Sequence, residues 1–269
     1  MIRKYCARVV SLTAVVLLSM VQPVAIELAS AETLSVASAI NKSGRQRMLT
    51  QRIAKSYMLI GQDIFTDKSQ QELNSSIDLF DEQLAELRAF APNDEVNKSL
   101  DNVETLWADY RQTALAPVSR DGGEKLLANN TELLTACHQV VLDIEALSDN
   151  KAAKLVNIAG RQRMLSQRIA LHYVAMSWGM KEPEVMEAFT TAQQQFTDAM
   201  ATMMAFPGNT ADITARLEEV ELKWRYSQSG FKNIDKGRFA PSIIQRTTTS
   251  ILTQMNTITG MYVELSASQ

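Results

Sequence analysis

Two stretches of this chain carry residue types and spacings that could do chemistry. The first is Asn41-Lys42-Ser43-Gly44-Arg45-Gln46-Arg47-Met48-Leu49-Thr50-Gln51-Arg52-Ile53-Ala54, and the second is Asn157-Ile158-Ala159-Gly160-Arg161-Gln162-Arg163-Met164-Leu165-Ser166-Gln167-Arg168-Ile169-Ala170. They are offset by 116 residues, and 12 of the 18 positions from Ile40 to Tyr57 are identical to those from Val156 to Tyr173. A core needs only apolar residues of suitable size, so packing alone would not hold three arginines and two glutamines in fixed order. Either both copies bind something, or both dock the same polar surface on a partner. The chemistry available is recognition of an anion, because the planar, permanently charged fork of Arg matches a planar oxyanion.

Other chemistries find little support. The two histidines, His138 and His172, lie far apart without zinc-ligand spacing and read as ordinary helix residues. There is no Cys-x-x-Cys-His haem attachment, no phosphate-cradling Gly-rich loop and no nucleophile motif. Met200, Met203 and Met204 read as core filler rather than a copper site. No enzyme activity, metal or cofactor is expected.

The elements that must carry the two stretches are helices, since Gly and Pro fall almost entirely between periodic segments. The spacing predicts a first helix over 32–61, a second over 69–90, a third capped by Asp94 and ending near Leu115, and a break at Pro117 and Gly122-Gly123. In the fourth, Leu133, Cys137, Val140, Ile144 and Leu147 step as a bundle seam. The second half repeats this order, with breaks at Glu182-Pro183, at Phe206 to Asn209 and from Lys236 to Pro241. Phe80 matches Phe196, Pro92 matches Pro207, and Trp107 matches Trp224. The expected fold is all-α: two tandem four-helix up-down bundles, modules 32–148 and 149–269. No Gly or Pro interrupts 124–159, so a long continuous helix is expected to join them; a break near Ser148-Asp149-Asn150 would instead let them lie side by side.

At 100° per residue the motif helix has two apolar faces. Leu49, Ile53, Tyr57 and Ile60 share one; Ile40, Gly44, Arg47, Ala54 and Met58 share the other, and the second copy repeats the pattern around Gly160 and Arg163. The first face joins the helix to its own bundle, and the second suits packing against a further helix. An arginine there needs an anion or several acceptors, and no acidic residue lies within one turn of Arg47 or Arg163 on its own helix. An anion between the two arginines, with Gly44 and Gly160 clearing room, is one solution; snorkelling or pairing with a neighbouring helix is the other. Arg45, Arg52, Arg161 and Arg168 point elsewhere and should be solvated or bridge to acidic residues, raising the local positive potential.

At these residues the chain resembles the PilJ-type N-terminal sensor domain of type IV pilus methyl-accepting chemotaxis transducers, whose Gly-Arg-Gln-Arg-Met-Leu-x-Gln-Arg signature stands in both copies. It is also similar to the periplasmic sensor of nitrate/nitrite sensor kinases, whose first helix carries a box matched by Asn41, Gly44, Arg47 and Met48 and by Asn157, Gly160, Arg163 and Met164. The resemblance implies nitrate or nitrite held at Arg47 and Arg163 where two first helices meet, with Gly44 and Gly160 beside it. Asn41, Asn157, Met48, Met164, Arg45 and Arg161 would support it. Whether those helices belong to one chain or to two copies stays open, so a homodimer stands among the partners.

Arg3, Lys4 and Arg8 precede an apolar run from Val9 to Met20, and Ala29-Ser30-Ala31 is a small-x-small cleavage site, so residues 1–31 read as a signal peptide and the destination as the periplasm. Their removal leaves 24 basic against 29 acidic residues, about −5, which argues against nucleic acid or an anionic membrane as partner. Only Cys137 then remains, as a core residue. No membrane helix or signalling domain is expected between the second repeat and Gln269. The expected function is a soluble periplasmic oxyanion sensor reporting to a membrane-bound signalling partner, the alternative being a structural or protein-interaction module without a small ligand.

Overall fold

The structure, a computed structural model, describes residues 34–148 and 151–267, with side chains from Lys154 onward in the second segment. The expected signal peptide lies outside the described residues. Among the described residues eight α-helices follow one another: α1 (Val36–Gly61), α2 (Thr66–Phe90), α3 (Asp94–Leu115), α4 (Arg120–Glu145), α5 (Lys151–Ser177), α6 (Pro183–Met204), α7 (Ala211–Phe231) and α8 (Pro241–Ala267), with one short 3-10 turn at Ile234–Lys236. No strand occurs among the described residues, and no helix among them is long and apolar enough to cross a membrane.

Side-chain caps set several helix starts. Ser35, Asn93, Ser119 and Thr210 each accept a hydrogen bond from the backbone N–H three residues on, and Pro183 stands in the first turn of α6, where its missing N–H is not needed. Asn93 therefore caps α3 in place of the expected Asp94. Likewise Gly122 and Gly123 are not a break but the first turn of α4, which Ser119 caps. Glycine is required there by close approach. A Cβ on Gly122 would stand 2.1 Å from the Tyr57 hydroxyl, and one on Gly123 would stand 2.6 Å from the Trp178 ring.

The expected continuous helix between the repeats is not found. α4 ends at Glu145, where the bonds tighten from Ala146–Leu142 to Leu147–Ile144 and Ser148–Glu145. The physical reason is the second apolar face of the motif helix. End-to-end stacking would leave it in water, whereas a turn brings α5 alongside α1 and buries Ile40, Ala54 and Met58 against Val156, Ala170 and Val174, all fully buried.

α1 and α5 thus form the centre and run parallel in register: Gly44 faces Gly160, Lys55 reaches Gln167, and Gln62 reaches Val174 and Ser177. Around α1 stand α2 and α4, with α3 closing that half; α5 is flanked in the same way by α6 and α8, with α7 outside. The repeat is therefore a pseudo-two-fold. The motif glutamines belong to this packing: Gln46 donates to the Phe80 carbonyl at 3.0 Å and Gln162 to the Phe196 carbonyl at 2.7 Å. On the same rungs Trp107 stacks on Phe80 and Trp224 tilts against Phe196. Part of the repeated polar signature is thus structural, because each buried amide finds a carbonyl on the neighbouring helix.

Candidate functional site

At the α1–α5 crossing two guanidinium groups converge. A Cβ built on Gly44 would lie 3.3 Å from Arg47 Nη2, 3.6 Å from Arg163 Nη2 and 4.0 Å from the Gly160 Cα; one on Gly160 would lie 3.1 Å from Arg163 Nη2 and 3.7 Å from Arg47 Nη2. The two glycines thus make room for the guanidinium ends of both arginines. Arg47 is 1% exposed and Arg163 is fully buried.

Their partners are reciprocal across the pseudo-two-fold. Arg47 Nη2 donates to Asn157 Oδ1 at 2.9 Å, and Arg163 Nη1 donates to Asn41 Oδ1 at 2.8 Å while its Nη2 meets the Asn41 carbonyl at 3.0 Å. Each asparagine reads the arginine of the opposite repeat. The fourth helices add one residue each: Arg47 Nη1 donates to His138 Nδ1 at 2.9 Å, and Arg163 Nη1 lies 3.4 Å from Asn256 Oδ1. Glu145 stands one residue back, accepting from Asn157 Nδ2.

No carboxylate pairs with Arg47 or Arg163 among the described residues, and Nε of each is buried without a hydrogen-bond partner. The electrostatics follow. Desolvation by burial, then the Arg161 charge, brings the Arg47 guanidinium down to about 10. Burial, followed by the charges of Arg45 and Arg47, holds Arg163 well below the ordinary guanidinium range. A guanidinium stays charged in proteins, so both shifts run in the direction of a site that favours negative charge. Burial and the Arg47 and Arg161 charges bring His138 down to about 4, leaving it neutral at pH 7. Because Arg47 can only donate, the neutral ring accepts at Nδ1 and carries its proton on Nε2.

The structure thus gathers Arg47, Arg163, Gly44, Gly160, Asn41 and Asn157 at one point. Met48 and Met164 are buried on the flanks, Arg45 is half-buried beside Glu86 and Glu82, and Arg161 is exposed. Arg52 pairs with Glu72 at 2.6 Å, as the sequence suggested for the outer arginines. Arg161 and Arg168 differ, for neither has a side-chain ion pair among the described residues. Two of the three repeat-equivalent acids are missing, Glu72 and Glu86 becoming Ala188 and Thr202, while Glu82 becomes Asp198. His138 and Asn256 escaped the sequence reading. The signal for His138 was its place one residue after Cys137 on the bundle seam, where a polar side chain can look toward α1. A larger cleft of about 360 Å³ between α4, α5 and α6 is lined by Glu124, Glu182 and Glu184, so its charge repels an anion.

The duplicated helical bundle thus buries an arginine pair at its pseudo-two-fold with no carboxylate partner among the described residues. The family model for the type IV pili methyl-accepting chemotaxis transducer N-terminal domain (PilJ) matches residues 28–134 and again 147–236, and the chain belongs to this family of chemotaxis sensory domains. No curated protein and no solved structure matches the chain.

Proposed function

We propose that this chain is an exported, periplasmic sensory protein that binds nitrate or nitrite between α1 and α5 and passes its ligand state to a membrane-bound signalling partner. Residues 32–148 and 149–269 act as two sensor modules fused in one chain. The observation that carries this reading is the buried pair Arg47 and Arg163, which face one another over Gly44 and Gly160 with an unpartnered Nε each. Two like charges removed from water call for an anion, and the planar fork of Arg suits a small planar one. Burial also weighs against the interaction-module alternative, since side chains this inaccessible offer nothing to an acidic protein surface.

The test is thermal unfolding with nitrate, nitrite and chloride at millimolar concentration. A ligand at about a hundredfold excess over Kd stabilises by about 2.7 kcal/mol, so a rise of several degrees is expected with nitrate or nitrite and little with chloride. The double variant Arg47→Gln/Arg163→Gln should lose that rise. No oxyanion-specific shift in the wild type would sink the proposal.

The glycines give a sharper variant. In Gly44→Ala/Gly160→Ala the new methyls occupy the anion's place while helix propensity improves by up to about 1 kcal/mol per site. The expected result is a folded protein whose calorimetric nitrate affinity falls by at least about tenfold, the equivalent of about 1.4 kcal/mol. Unchanged affinity would move the ligand away from the crossing.

A further inference from the structure

The pseudo-two-fold is broken where it meets solvent. On the first-repeat side, acids of α2 close the approach: Glu72 binds Arg52, Glu86 binds Lys42, and Glu82 and Glu86 stand over Arg45. On the second-repeat side a cavity of about 170 Å³ opens between α4, α5 and α6. Its polar lining is Arg47, Thr135, His138, Arg161, Arg168 and Gln195, completed by Leu134 and Met164, with no carboxylate. Arg168 is half-buried and Arg161 exposed, and neither has a side-chain hydrogen bond or ion pair among the described residues. Gln195, an amide donor, stands where the first repeat has the apolar Leu79. Arg47 belongs to both places, since Nη2 faces the glycine crossing while Nη1 holds His138, a wall of the cavity.

We propose that Arg161, Arg168 and the His138 Nε2–H form a second, outer subsite for a small oxyanion, through which the inner arginine pair is loaded from one side of the molecule. The inference rests on the inner-site reading for its ligand class and stands on separate residues. The cavity is several times the roughly 30 Å³ that a water molecule takes in the liquid, so an anion fits there with part of its hydration shell. Two free arginines draw it in, and Arg47, reachable from the cavity and from the crossing, receives it as it sheds the remaining water. A cationic mouth with no carboxylate in its lining raises association rates by about 10–10³-fold, an effect that fades with ionic strength.

The test uses the full chain, with bromide as an anomalous scatterer in crystals and nitrate in calorimetry and stopped-flow competition. Bromide should occupy two positions, one between Arg161 and Arg168 and one at the Gly44–Gly160 crossing, and nitrate should displace both. Arg161→Gln/Arg168→Gln should lose the outer position, keep the inner one, and slow nitrate association by about tenfold at low salt while the difference shrinks at high salt. Bromide at the crossing alone, with unchanged association kinetics in that variant, would overturn the outer subsite and leave the inner site standing. Bromide in the cavity alone, with nitrate also absent from the crossing in nitrate-grown crystals, would do the reverse. Displacement at neither position would overturn both.

Discussion

In buffer free of small oxyanions, Arg163→Met should melt above the wild type, and nitrate should no longer move it. An isolated buried ion costs several kcal/mol even after relaxation, and replacing buried charges by apolar side chains of similar volume is often neutral or stabilising by about 1–4 kcal/mol. Arg163 is fully buried, and the Arg47 and Arg45 charges act against it. Little is orphaned when it goes. Asn41 is half-exposed and Asn256 exposed, so water replaces what the guanidinium donated to their amide oxygens. For a folded unit of this size 1 kcal/mol corresponds to about 2–4 °C. Saturating nitrate should then reverse the order, because only the wild type gains from it. A variant less stable than wild type by more than about 1 kcal/mol without anion would mean that the asparagine contacts already satisfy the arginine.

Glu72→Gln should be among the most destabilising single changes, costing about 3–5 kcal/mol through the cation it strands. Lys55 is fully buried, 3.2 Å from Glu72 Oε1, and donates to Gln167 at 2.6 Å. The same carboxylate takes Arg52 at 2.6 Å and Gln245 at 2.8 Å, tying α1, α2 and α8 together. Burial by itself would raise the Glu72 carboxyl, but the Lys55 and Arg52 charges and hydrogen bonds outweigh it and bring it down to about 2. The folded value is thus depressed from an ordinary 4.5, so its contribution is complete above pH 4.5 and disappears as pH falls toward 2. That difference corresponds to about 3 kcal/mol. Urea midpoints between pH 6 and 2 should show this acid limb in the wild type and a flatter one in Glu72→Gln. An equal slope in both would remove Glu72 from the account. The second repeat carries Leu171 and Ala188 at these positions, so Lys55→Leu/Glu72→Ala should recover most of the loss.

Much of the fold was legible because helical periodicity and duplication are written in the sequence. The 116-residue offset and the two apolar faces of the motif helix already placed Arg47 and Arg163 where a second helix packs. What stayed illegible depends on which helices meet. His138 and Asn256 come from the fourth helix of each repeat, and no spacing along α1 or α5 points to them. The turn after Glu145 carries neither Gly nor Pro, so local propensity favours continuation; burial of the α1–α5 faces overrides it. Gly122 and Gly123 looked like a breaker, but they serve the approach of Tyr57 and Trp178. Gln46 and Gln162 belonged to a repeated polar signature that packing alone did not account for, yet each satisfies a carbonyl of the adjacent helix.

The covalent link between α4 and α5 changes the mass action of such an interface. Two separate copies would meet only above their dissociation constant, and ligand response would vary with expression level. Joined in one chain, the partners face each other at a fixed effective concentration, so their pairing is first-order and immune to dilution. In the proposed sensing role the dose–response midpoint should therefore depend on the ligand alone, whether a cell holds ten copies or ten thousand.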